Sequence, residues 1–144
     1  MKSFFSEYVY LTVPILSWFI AQFFKFVFVM IRYRKPDFKR LVGSGGMPSG
    51  HSAFIVSFAT VTAKHFGISS YQFGFAAAVA IIVMYDATGV RRAAGKQAEI
   101  LNKIIFSGDS TVKVEERLKE LIGHTPIEVV VGALLGIVLG YFLS

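Results

Sequence analysis

Gly45-Gly46-Met47-Pro48-Ser49-Gly50-His51-Ser52 sets a glycine-rich turn, a hydroxyl and an imidazole at the start of an apolar run that reads as a helix. Such a turn suits a phosphate. Backbone N–H groups freed at a helix N-terminus point outward with the positive end of the helix dipole, and glycines let the main chain approach an anion closely. A second imidazole comes much later, in Gly123-His124-Thr125-Pro126-Ile127-Glu128. The spacing of His124 and Glu128 is i to i+4, so on a helix the carboxylate would lie one turn from the ring and fix its orientation and tautomer. Two histidines, one oriented by an acid, suit phosphoryl transfer: one neutral imidazole attacks while another, protonated, donates to the departing oxygen.

Pro48-Ser49-Gly50-His51 resembles the second signature of the type 2 phosphatidic acid phosphatase and vanadium haloperoxidase superfamily, and His124-x-Pro126-x-Glu128-Val129-x-x-Gly132-x-x-Leu135-Gly136 resembles its third. Val83-Met84-Tyr85-Asp86-Ala87-x-Gly89-Val90-Arg91-Arg92-x-Ala94-Gly95-x-Gln97-Ala98, followed by Leu101-Asn102, is similar to the divergent branch of small membrane proteins in that superfamily. The resemblance covers nearly the whole chain. It implies that His124 is the nucleophile forming a phosphohistidine, that Glu128 orients it, and that His51 protonates the leaving alcohol. Ser49, Gly50 and the nearby amides of Gly45 and Gly46 would bind phosphate oxygens.

Lys25 and Arg32 are separated by six residues, similar to the superfamily's first signature, although Tyr33 stands where that signature has proline. A cation inside an apolar span is expensive, so Lys25 either faces the bundle interior or snorkels along its helix. Gln22, one turn back, could line the same cavity or make a packing hydrogen bond. The third signature normally carries an arginine six positions before its histidine, whereas Arg117 here stands seven before His124. We expect Arg91 and Arg92 to take that role, because a guanidinium fork held at a rigid helix end binds phosphate bidentately. Residues 91–125 then read as a cytoplasmic insertion. Asp86 would orient one of the two arginines or serve only as an exposed ion-pair partner. Asp86 and Glu128 are the only acids near the expected site, too few for a dedicated metal cage, so the expectation is metal-independent catalysis without a cofactor.

The 144 residues leave room for one domain, and 54% hydrophobic with 17% charged residues is the composition of an integral membrane protein. Four apolar stretches predict spans: 8–31; 53–63 extended by His51, Ser52 and a snorkelling Lys64; 73–85 continuing to about Val90; and 126–143. The expected fold is an all-α bundle of about four transmembrane helices plus two amphipathic cytoplasmic helices, 93–105 and 111–122. Gly132, Gly136 and Gly140, spaced four apart, would let a neighbouring helix pack closely, and a homo-oligomer through that face is one expectation. The N-terminal run reads as a retained helix rather than a signal peptide, since Glu7 and Lys25 interrupt it and no A-x-A-like site follows. The chain has no cysteine, which removes disulfide staples and thiolate-bound zinc.

The connections at 32–40 and 91–125 are basic, whereas 66–72 is short and uncharged in its turn. The positive-inside rule places both basic connections, and the phosphate turn with them, at the cytoplasmic face, with both termini outside. A bacterial plasma membrane is the expected location. The net charge of +6 fits anionic lipid head groups, while no basic face interleaved with base-stacking aromatics suggests a nucleic acid partner. The expected activity is hydrolysis of a lipid phosphomonoester, with phosphatidylglycerophosphate and phosphatidic acid as fitting substrates. A polyprenyl phosphate or pyrophosphate substrate is the alternative within the same chemistry. A lipid-phosphate binding, transport or assembly protein without turnover is the alternative outside it.

Overall fold

The computed structural model describes residues 7–33, 45–106, 118 and 122–144, with only the backbone of Arg32 and Tyr33 described. It is all-helical there: α1 (Val9–Tyr33), α2 (Gly50–Phe66), α3 (Tyr71–Thr88), α4 (Val90–Ile105) and α5 (Pro126–Phe142). Each boundary has a local cause. Ser49, Ser70 and Thr125 are side-chain N-caps of α2, α3 and α5, accepting from the amides of Ser52, Phe73 and Glu128. Gly67, at φ +84°, ends α2 in a conformation that disfavours side chains. A single residue, Gly89, separates α3 from α4, so the expected polar connection begins as a helix without a loop.

Helix α2 is the hub, packing against α5, α1 and α3, while α4 among the described helices packs on α3 alone. The α2–α5 contact is close because both faces are small. A Cβ added at Gly132 would sit 2.4 Å from the Ser49 carbonyl oxygen, one at Gly136 2.7 Å from that of Ala53, and one at Gly140 2.8 Å from that of Ser57. The three glycines therefore match a stripe on α2 at nearly the same period, and backbone meets backbone. The neighbouring helix that the spacing of Gly132, Gly136 and Gly140 calls for is thus α2 of the same chain. Lys64 also departs from expectation. Its Nζ donates to the Tyr141 carbonyl at 2.8 Å and to that of Ser144, so it satisfies the carbonyl end of α5 instead of snorkelling free.

Helix α1 is long and apolar enough to cross a membrane, as is the α3 stretch; α5 is apolar but has 17 residues. At 1.5 Å per residue, 17 residues cover about 25 Å, near the lower bound for a hydrocarbon core of about 30 Å. The outward faces are consistently apolar, with Phe23, Ile82 and Leu134 all more than half exposed. Helix α4 fulfils the first amphipathic expectation, burying Gly95, Ala98 and Asn102 while exposing Ile100 and Ile104. The second, 111–122, lies outside the described residues apart from Leu118 and Ile122. Asn102 grips Leu118, donating from Nδ2 to its carbonyl and accepting its amide, both at 2.9 Å.

Candidate phosphate site

His124 does not sit on a helix. It precedes Thr125, the N-cap of α5, so the His124–Glu128 contact is not the turn-to-turn contact expected on a helix. Thr125 and Glu128 form a capping box with Pro126 in the first turn: Glu128 Oε2 accepts from the Thr125 amide at 3.0 Å, and Thr125 Oγ1 accepts from the Glu128 amide at 3.4 Å. The same Oε2 lies 3.2 Å from His124 Nδ1. A helix cap thus aims the carboxylate that orients the ring. Thr125 positions both groups without being ionisable, and its sequence signal is the capping pattern Thr-x-x-Glu.

The His124 ring is 2% exposed, and its Nε2 has no hydrogen-bond partner among the described residues. With Nδ1 held by Glu128, Nε2 is the nitrogen left for chemistry. The His51 ring, at the start of α2, stands 6.3 Å away centroid to centroid and is inclined by 66°. Gln22 Oε1 is a second buried, unpartnered side-chain atom, and the Gln22 carboxamide lies beside Gly50. Buried polar atoms are nearly always satisfied, so two atoms unpartnered among the described residues and set near one helix N-terminus make it the candidate place for a polar group.

The turn before α2 is tied to the first turn of α5. Ser49 is fully buried, and its amide donates to the Glu128 carbonyl at 3.0 Å. That amide is therefore not among the groups an anion could use. Ser49 Oγ accepts from the Ser52 amide at 3.3 Å and the Ser52 hydroxyl at 3.0 Å, which leaves its own proton as the donor it can offer. Gly46 has φ +95° and lies against the stem of Lys25, which is 2% exposed, so Lys25 faces the interior as the first alternative supposed. The charged groups close enough to act on the His51 ring are Arg91, His124, Lys25 and Asp86. Arg32 falls in the last turn of α1 with its side chain undescribed, and Arg117 lies outside the described residues.

The start of α4 arrives through tertiary contacts. The His124 amide donates to the Ala87 carbonyl at 3.0 Å, and a Cβ at Gly123 would lie 2.4 Å from the backbone of Arg92. No side chain larger than hydrogen fits there. Gly123 and His124 are thus pressed onto the α3–α4 junction, whose two arginines diverge. Arg91 Nε donates to Asp86 Oδ2 at 2.5 Å on the His51 side. Arg92 lines a polar cavity of about 240 Å³ whose walls include Gly45, Gly46, Lys96, His124 and Glu128.

The profile of the divergent PAP2 family matches residues 6–139. The chain belongs to the divergent PAP2 family. It is 40% identical over 136 residues to the uncharacterized membrane protein YuiD of Bacillus subtilis (strain 168), a match covering 86% of each chain. No solved structure matches. In this divergent PAP2 protein the docking of Gly123 on the Arg92 backbone brings the start of α4 alongside His124. Among the described residues no group of three or more His, Asp or Glu is placed to hold a metal ion.

Proposed function

We propose that this divergent PAP2 protein is a lipid-phosphate phosphatase working at the cytoplasmic face of a bacterial plasma membrane through a phosphohistidine. The observation that carries the reading is the buried, unpartnered Nε2 of a Glu128-oriented His124 beside His51. In the first step Nε2 attacks phosphorus, the bond to the lipid oxygen breaks, and His51 as imidazolium gives its proton to that oxygen. Glu128 offsets the positive charge that develops on the His124 ring. In the second step a water gives its proton to the now neutral His51 and attacks phosphorus, the P–N bond breaks, and inorganic phosphate leaves. Lys25, Arg32, Arg91, Ser49 and the first amides of α2 offset charge on the equatorial oxygens, the main source of catalysis in such reactions. Phosphatidylglycerophosphate and phosphatidic acid fit this site, and a polyprenyl phosphate fits the same chemistry. The test is release of inorganic phosphate by purified protein in detergent, with EDTA, from each of these lipids. No release from any of them would leave a binding or assembly protein on the same scaffold.

Asp86 takes only Nε of Arg91, which leaves the Nη1–Nη2 edge to face an anion as a planar fork. Arg91→Ala is expected to weaken vanadate inhibition by about 10- to 150-fold, the equivalent of about 1.5–3 kcal/mol for a charge-assisted contact. Arg91→Lys should recover little of it, since an ammonium cannot reproduce the fork. Unchanged vanadate inhibition in Arg91→Ala would remove this arginine from the site.

Orientation has its own test. Single cysteines at Phe106, beyond α4, and at Tyr71, at the start of α3 and 82% exposed, are expected to label from opposite sides of the membrane, with Phe106 cytoplasmic. Labelling of Phe106 from outside would overturn the cytoplasmic site.

A further inference from the structure

One turn beyond Arg92, Lys96 lines the same polar cavity, and Glu99 follows on the same face of α4. Glu99 Oε1 accepts from Lys103 Nζ at 2.7 Å and Lys96 is also within electrostatic reach, so the acid is balanced within the helix. Glu128, the other acid in the wall, holds His124 and lies within electrostatic reach of Lys25. Among the described residues the other charges lining the cavity are those of Arg92 and Lys96, beside the main chain of Gly45, Gly46 and Gly123. Two cations above glycine backbone make a seat for a dianion.

This seat is not the reacting position. Its walls contain His124 together with Thr125 and Glu128, the groups on the ring's Nδ1 edge, whereas His51, Asp86 and Arg91 are absent from them. The geometry points to a second anion subsite, with Arg92 and Lys96 as its ligands, that takes a phosphate-class group alongside the one at His124. The inference rests on the phosphate-site reading above and deepens it. The chemistry is shared by two sources: a second phosphoryl group of one substrate, as in a lipid pyrophosphate or a lipid with both a phosphodiester and a phosphomonoester, or a free phosphate ion.

Calorimetric titration of the full chain in detergent, first with inorganic phosphate and then with pyrophosphate, tests it. Wild type is expected to bind two phosphate ions per chain and Lys96→Ala one, with Lys96→Arg restoring two. Lys96 is exposed, so its truncation leaves the packed core intact, and an unchanged thermal unfolding midpoint checks this. If the second group belongs to the substrate, pyrophosphate binds one per chain at least tenfold tighter than phosphate, and Lys96→Ala removes the advantage. If it is a free ion, pyrophosphate has no advantage and the count of two stands. One phosphate per wild-type chain, or two in Lys96→Ala, overturns the subsite. Two bound phosphates without turnover of any lipid phosphate would sink the phosphatase reading and keep the subsite; turnover with one bound phosphate would do the reverse.

Discussion

Replacing His124 by alanine is expected to abolish phosphate release and the acid-labile phosphoprotein together. The ring is buried, its Nδ1 is committed to Glu128, and its Nε2 has no partner among the described residues, so the proposed nucleophile goes with the ring. A loss of about 10,000-fold or more is the scale for a missing nucleophile that works as part of a unit. His51→Ala should differ in kind. It removes a general acid, worth about 100- to 10,000-fold, and the loss should shrink sharply for a nitrophenyl phosphate whose leaving group needs no proton. Rapid-quench trapping of the phosphoprotein with both substrates separates the two roles. A phosphoprotein in His124→Ala at wild-type level would end the phosphohistidine assignment.

Gly132→Val is expected to destabilise the bundle and remove phosphate binding in one step, while Gly74→Ala does neither. A Cβ at Gly132 meets the Ser49 carbonyl oxygen at 2.4 Å, and that obstacle is main chain, which cannot swing aside as a side-chain tip would. Ser49 is also the residue whose amide bonds to the Glu128 carbonyl, so α2 and α5 must separate at the point where they hold the two histidines together. Overpacking of this kind costs about 1–3 kcal/mol, and β-branched valine has little freedom to relieve it. At Gly74 an added Cβ meets nothing within 4 Å, and the gain in helix propensity is about 0.5–1 kcal/mol. Thermal unfolding in detergent and phosphate titration read both effects. A Gly132→Val protein as stable as wild type would mean that α2 and α5 do not meet through this stripe.

Part of the arrangement is legible in residue types and spacing alone. Ser49-Gly50-His51 could be read as a helix start because a capping hydroxyl and a glycine-rich turn act within a few residues of themselves. Lys25 announced itself through the cost of a cation among apolar neighbours, and it is indeed buried. The apolar runs marked α1, α2, α3 and α5 because a helix that faces lipid on one side and packs on the other is apolar nearly all round. Those are short-range or compositional signals.

What depended on distant residues meeting was out of reach. His124 and Glu128 were rightly paired by spacing, yet only the folded chain shows the pair straddling a helix cap, because Pro126 and Thr125 start α5 after the histidine. The glycine stripe of α5 was visible, but whether a second copy or α2 would cover it depended on the matching stripe of small residues on α2 and the turn that brings it alongside. Arg91 and Arg92 are neighbours in sequence and part company in space, since about 100° of helical rotation sends one toward Asp86 and His51 and the other, with Lys96, into the cavity beside Glu128. Residue types and local spacing carry their own chemistry, whereas which faces meet is set by the shapes of whole helices packed together.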